Sequence, residues 1–312
     1  MLLVLRILLT GSLGQLGRAL RASLPSTLAG ESVQLIPTAR QSEPSQGVIA
    51  LDLADADACR AAVSDHAPHW VLNAGAYTAV DRAETESELA YAVNAKAPRA
   101  FAEALSNNGG RLLQLSTDFV FSGGQGRPYQ PTDRCDPLCA YGRSKAAGEL
   151  AVAELLGTGS DGHAAILRGS WVYGPVGRNF LSTMLQLHRQ RAASSQPLRV
   201  VADQVGCPTA TTGLARVCWS VIEQQACGIQ HWSDAGAASW YDFALAIGEL
   251  GMVAGLLEQA AEVQPISTAD YPTPALRPSY SLLDSTATRA QLGLRGQNWR
   301  TALREVMADV EA

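Results

Sequence analysis

Apolar positions in the first half of the chain form short unbroken runs, separated by longer stretches of helical spacing. The runs cover Leu3–Leu9, Val33–Pro37, Val48–Leu51, Trp70–Asn73, Arg111–Ser116 and Ala164–Arg168. Strands look like this when both faces of a parallel sheet are covered. Helical spacing begins after Gly14 and recurs over Asp57–His66, Ser87–Ser106 and Ala140–Leu156. Strand and helix in alternation predict βα units wound into a Rossmann-type, doubly wound parallel α/β sheet.

After Gly169 the pattern is less regular. Helices are predicted over Phe180–Arg191, Thr211–Gln225 and Tyr241–Gly251, with a short amphipathic one over Trp299–Val310. Pro265, Pro272, Pro274 and Pro278 mark loops between them. At roughly 150 residues per domain, 312 residues allow two domains. The change of pattern divides them into 1–170 and a smaller α/β unit over 171–312, segments of which return to the first.

Composition narrows the class. With 24 Lys+Arg against 29 Asp+Glu the net charge is -5, with no long run of either sign, so an electrostatic nucleic-acid binder is not expected. The hydrophobic share of 47% and charged share of 17% describe a globular protein. No apolar stretch reaches the ~20 residues of a membrane helix, and Met1–Thr10 lacks the basic start and small-residue cleavage site of a signal peptide. The six cysteines are scattered without zinc-like spacing, and the five histidines show no ligand spacing. Reduced thiols in a cytoplasmic protein are expected.

Candidate chemistry starts at the first turn. Gly11-Ser-Leu-Gly14-Gln-Leu-Gly17 follows a predicted strand and opens a predicted helix. Glycines there allow a tight turn, close approach of backbone N–H groups to a pyrophosphate and close packing of helix on sheet. A plain strand-to-helix turn would need the same residues. Dinucleotide contacts are expected from Gly11, Leu13, Gly14, Gln15 and Leu16, from Asp52 and Leu53 after the third strand, and from Ala74, Gly75 and Ala76 after the fourth. Arg40, just past the second strand, is placed to accept a 2′-phosphate, which favours NADPH over NADH; a solvated surface arginine is the alternative.

Tyr141 and Lys145 stand four residues apart, hence on one helix face. A free tyrosine, with a pKa near about 10, exchanges protons poorly at neutral pH. A neighbouring ammonium lowers that pKa, and a move of ~2 units is worth about 2.7 kcal/mol. Ser116 and Thr117 end the fifth predicted strand, where ligands of open α/β sheets bind, and are expected to hydrogen-bond a substrate oxygen.

The glycine turn, Asn73-Ala-Gly, Ser116-Thr-Asp and Tyr141-Gly-Arg-Ser-Lys145 resemble the extended short-chain dehydrogenase/reductase superfamily. Longer words carry a closer resemblance, to the dTDP-4-dehydrorhamnose reductase family. These are Tyr77-Thr-Ala-Val-Asp-Arg-Ala-Glu84, Ser116-Thr-Asp-Phe-Val-Phe121, Ala140 through Glu149, Arg168-Gly-Ser-Trp-Val-Tyr173, Asn179-Phe, Asp203 through Thr209 and Tyr271 through Pro278. The resemblance implies reduction of the C4 ketone of dTDP-4-dehydro-L-rhamnose to dTDP-L-rhamnose, for cell-surface polysaccharides such as lipopolysaccharide O-antigen. It implies hydride from NADPH or NADH, Tyr141 as proton donor, Lys145 tuning Tyr141 and holding the nicotinamide ribose, and Thr117 positioning the carbonyl. Asp118, Trp171, Asn179 and Arg277 would join Thr117 and Tyr141 in contacting the sugar nucleotide. Residues 1–170 would hold the dinucleotide and 171–312 mainly the sugar nucleotide.

Departures from the family pattern qualify this. Phe119 stands where the family often has Tyr, and Tyr77 where it often has His. Neither the glycine turn nor Leu187–Arg191 carries the carboxylates through which some members bridge subunits with magnesium. No bridging metal is therefore expected, and a monomer rather than a homodimer. Two alternatives stay open: another sugar-nucleotide epimerase or dehydratase, and a non-catalytic subunit resembling the methionine adenosyltransferase β subunit.

Overall fold

The computed structural model describes residues 4–310. Its main sheet contains β1 (Val4–Thr10), β2 (Glu31–Ala39), β3 (Ile49–Ala50), β4 (Trp70–Asn73), β5 (Arg111–Thr117), β6 (Ala164–Gly169) and β7 (Gly228–Trp232). They run parallel in the order β3-β2-β1-β4-β5-β6-β7, and the two-residue strand Thr27–Leu28 lies antiparallel on β2. The predicted strands are all present, Leu3 lying outside the described residues. The strand order reverses at β1, and this switch point opens the crevice where open α/β sheets bind ligands.

Alternation along the strands feeds two cores. Ile7 and Leu9 of β1 join Leu72, Leu113 and Leu167 on one face. Leu8 joins Val71, Leu112 and Ile166 on the other. The first face is covered by α1 (Gln15–Ala22) and a helix from the second half, Thr211–Glu223; the second by α2 (Ala56–His66), α3 (Ala97–Asn108) and α4 (Ala140–Leu156).

The stretch Ser87–Ser106, predicted as one helix, is broken. A short helix over Ser87–Tyr91 passes into a π turn at Ala92–Lys96 before α3 begins. Pro98 lacks the N–H that the carbonyl of Asn94 would accept in a continuous α-helix. That carbonyl instead approaches α4 so closely that a Cβ on Gly148 would lie 2.1 Å from it.

Beyond β6 the chain builds a third core, in which Leu181 and Leu185 of Phe180–Ala193, Phe243 and Ile247 of Trp240–Val253, and Leu303 and Met307 of Trp299–Ala308 pack together. Leu198–Val201 pairs in parallel with Val263–Ile266 beside it. The chain therefore leaves the sheet, returns for Thr211–Glu223 and β7, and leaves again. Strand β7 was not anticipated, because Gly228-Ile-Gln-His-Trp232 mixes polar and apolar residues. Gln230 and His231 are nevertheless buried.

Candidate active site

The glycine turn lies at the carboxyl end of β1. Gly11 has φ +63, and a Cβ there would sit 2.7 Å from the Cα of Gly75, so the turn and the loop after β4 touch backbone to backbone. A Cβ on Gly17 would fall 2.1 Å from the Gly11 carbonyl. The Thr10 hydroxyl ties the two loops, donating to Asn73 Oδ1 at 2.5 Å and accepting from Gly75 N at 3.0 Å. Leu53 packs on Gly75, with Ala74 and Ala76 half-buried beside it.

At the start of α1, Gly14 supplies no side-chain cap, so the first N–H groups point outward with the positive end of the helix dipole. The hydroxyl of Ser12, wholly buried, has no hydrogen-bond partner. An uncapped helix start beside close-packed backbone fits a dinucleotide pyrophosphate. Gly14 is exposed, with Leu13, Gln15 and Leu16 half-buried around it. Arg40 is exposed after β2 without a side-chain partner, and Asp52 is exposed after β3.

At the end of β5 the strand period separates Ser116 from Thr117. Thr117 Oγ1 donates to Asp118 Oδ1 at 3.0 Å and accepts from Phe119 N at 3.2 Å, and it stands near enough to the Tyr141 phenol to favour the phenolate. Ser116 faces the other way from Thr117 and donates to Glu149. Phe119 meets the Tyr141 ring edge-on, with centroids 5.7 Å apart.

Tyr141 and Lys145 share the buried face of α4, as the spacing requires. Their electrostatics differ from expectation. Burial, with the Asp118 carboxylate adding to it, holds the Tyr141 phenol well above its usual pKa, while Thr117 pulls the other way. The ammonium of Lys145 donates to the Leu115 carbonyl at 2.6 Å. Burial pulls Lys145 down to about 8 against the opposing charge of Glu149.

The expected sugar-nucleotide contacts are redistributed. Asp118 is only 1% exposed, beneath Thr117, and burial pushes its carboxyl up to about 6. Asn179 caps Phe180–Ala193 through Ser182 N and donates both to Gly174 O and to Gln15 Oε1, each at 2.8 Å. Arg277 is held by Asp81 through a pair of bonds at 3.0 and 2.8 Å, so it ties the Pro272–Pro278 loop to the segment after β4. That loop places Ala275 in one apolar cluster with Tyr141 and Phe119. Trp171 is half-buried at φ +47, stacked on Trp240 at 3.6 Å and pressed against Gly206.

Sequence reasoning missed two groups. Asn94 pairs with the Tyr77 backbone in both directions and donates to Ser144, whose hydroxyl donates to the Tyr141 carbonyl, so it steadies the first turn of α4. An asparagine within helical spacing gave no signal. Glu149 and Arg168 form a buried pair linking α4 to β6; both stood within quoted motifs, but pairing needs the fold. Among the described residues no three His, Cys, Asp or Glu are grouped to hold a metal ion.

A family model described as the RmlD substrate binding domain matches residues 5–312. The chain is 37% identical over 312 residues to a dTDP-4-dehydrorhamnose reductase of Aggregatibacter actinomycetemcomitans, covering 98% of this chain and 99% of the relative. The chain belongs to the dTDP-4-dehydrorhamnose reductase family.

Solved structures of the family agree. The reductase of Clostridium acetobutylicum superposes with a TM-score of 0.83 at 36% identity, covering 97% of this chain and 98% of that one. The Bacillus anthracis reductase, solved in complex with NADP, gives 0.83 at 31% identity, covering 99% and 100%. The fold and the resemblance read from the sequence are those of this reductase family. No helix among the described residues is long and apolar enough to cross a membrane.

Proposed function

We propose that the chain reduces the C4 ketone of dTDP-4-dehydro-L-rhamnose to the alcohol of dTDP-L-rhamnose, with Tyr141 as proton donor. The observation that carries this reading is the Tyr141 phenol, buried near Thr117 at the carboxyl end of β5 and one helical turn from the buried Lys145. Family membership supplies the substrate class.

Bound NADPH or NADH supplies the hydride that C4 accepts. Gly11, Leu13, Gly14, Gln15 and Leu16 would hold the dinucleotide at the uncapped start of α1, with Leu53, Ala74, Gly75 and Ala76 alongside. Arg40, free of partners, would take a 2′-phosphate, and Asp52 would lie toward the adenine end. The high pKa of Tyr141 keeps the phenol protonated at neutral pH, so the donor form is the resting one. As the C4 oxygen gains charge, Tyr141 gives it the proton, and the phenolate left behind is stabilised by the Thr117 hydroxyl and the ammonium of Lys145. Solvent then returns the proton.

Residues 1–170, with Thr211–Glu223 and β7, would carry the cofactor, and most of 171–310 the sugar nucleotide, where the half-buried indole of Trp171 offers an apolar edge. Arg277 would reach the diphosphate by leaving Asp81. The test is the nicotinamide absorbance of NADPH or NADH mixed with the chain and dTDP-4-dehydro-L-rhamnose. Stoichiometric loss of the reduced cofactor is expected; an epimerase or dehydratase would consume none, and a non-catalytic subunit would turn over neither compound.

A further inference from the structure

The loop from Pro272 to Pro278 crosses from the second half of the chain onto the sheet domain and lies against the first turn of α4. Among the described residues, 272–278 make no backbone-to-backbone hydrogen bond. The polar hold of this loop on the sheet domain is one carboxylate. Asp81 Oδ1 accepts from Arg277 Nη1 at 3.0 Å and from Ala275 N at 3.3 Å, and Oδ2 accepts from Arg277 Nη2 at 2.8 Å. The same guanidinium gathers the loop itself, donating Nη1 to Ala275 O at 3.0 Å and to Thr273 Oγ1. Arg277 is thus both the brace of the loop and its bolt. The chain beyond is fixed more firmly: Pro278 presses on Gly123, and Ser281 N donates to Val205 O at 2.7 Å.

This loop covers the proposed proton donor. Ala275, 1% exposed, belongs to one apolar cluster with Tyr141, itself 9% exposed. A ketone oxygen has to come within hydrogen-bond reach of the phenol to take its proton. The other buried members of the cluster, Ala83, Ala90, Cys139 and Ala140, sit on helices or turns of the sheet domain, so the loop is the part free to lift. We propose that the Asp81–Arg277 pair is a latch: it seats Ala275 on Tyr141, and the diphosphate of a sugar nucleotide opens it by taking Arg277 from Asp81. The latch rests on the sugar-nucleotide reading for the nature of its key, and its measurement needs no turnover. Carboxylate and phosphate oxygens compete for the same guanidinium fork, and a diphosphate brings more charge than Asp81. The pair is partly solvated, at 22% and 41% side-chain exposure. An ion pair there is weak enough to exchange, and the released carboxylate is rehydrated. Nearby carboxylates are engaged elsewhere, Glu84 accepting from Ala140 N and Glu86 pairing with Arg82.

The test is calorimetric binding of thymidine diphosphate to the full chain, together with hydrogen exchange of the peptide that contains Ala275. Asp81→Asn keeps an acceptor for Ala275 N but removes the competing charge. Thymidine diphosphate should therefore bind it about two- to fivefold more tightly than wild type. In an Arg277→Met background the same change should gain nothing, because the contested group is gone. In wild type the nucleotide should speed exchange across 272–280, and in Asp81→Asn exchange there should be fast without it. A merely structural Asp81 would give unchanged or weaker binding on substitution, and that outcome overturns the inference. So does an equal gain without Arg277, or loop exchange in wild type that the nucleotide slows or leaves alone. Should Asp81→Asn not fold, exchange in wild type decides by itself. A chain that binds the nucleotide and releases the loop but reduces no keto sugar defeats the functional reading alone; one that binds no thymidine diphosphate defeats both.

Discussion

Replacing Asp118 by asparagine removes a titration that the fold shifts far from its ordinary range. The carboxyl is 1% exposed, one oxygen accepts from Thr117, and the other has no hydrogen-bond partner. Burial raises its pKa from 3.8 to about 6. Because the folded value lies above the unfolded one, the protonated form is favoured by folding. Its contribution is complete below the unfolded value and is lost as pH rises through the folded one. At about 1.4 kcal/mol per unit, the loss totals about 3 kcal/mol, of which about half falls between about pH 5 and about pH 8. The assay is urea unfolding of wild type and Asp118→Asn at those two pH values. Every other titrating group is common to both chains, so the comparison isolates this one. The variant should gain about 1.5 kcal/mol on wild type between the lower and the higher pH. Parallel pH profiles would show that water reaches the carboxylate and refute the assignment of the shift to burial.

Three further outcomes test the site. Tyr141→Phe should lower kcat by about 10²- to 10⁴-fold with cofactor affinity kept, measured by steady-state kinetics and fluorescence titration; full turnover would remove Tyr141 as donor. Arg40→Ala should weaken NADPH binding more than NADH binding, and equal changes would make Arg40 a bystander. Gly17→Ala forces a methyl to 2.1 Å from the Gly11 carbonyl, a backbone atom. It should cost about 1–3 kcal/mol and weaken the cofactor together with the fold; an unchanged melting temperature would show that the turn relaxes freely.

Much of the molecule was legible in the chain because the relevant signals are local. A strand buried on both faces must be apolar throughout, so inner strands such as β4 and β6, buried at every residue, could be read directly, whereas Ile49 and Ala50 of β3 are exposed. Tyr141 and Lys145 share a helix face by spacing alone, and Gly11 and Gly17 mark backbone approaches that no other side chain permits. Strand β7 escaped because its burial is granted by neighbours: Gln230 and His231 are polar residues that only a finished sheet encloses. The break before α3 was announced by Pro98, but its consequence, the Asn94 carbonyl against Gly148, needed the second helix.

The division is sharpest among charged and polar side chains. Sequence determined which residues could carry chemistry; tertiary structure decided what each one faces. Arg277 is a cation by composition and Asp81's partner by folding. Asn179 is polar by identity, yet its amide joins a helix start to the glycine turn. Lys145, read as the cation that lowers Tyr141, spends its ammonium on a strand carbonyl with Glu149 behind it. Hydrogen bonds and buried charges depend on distances of a few ångströms between residues far apart in the chain, and those distances exist only once the sheet has brought its edges together.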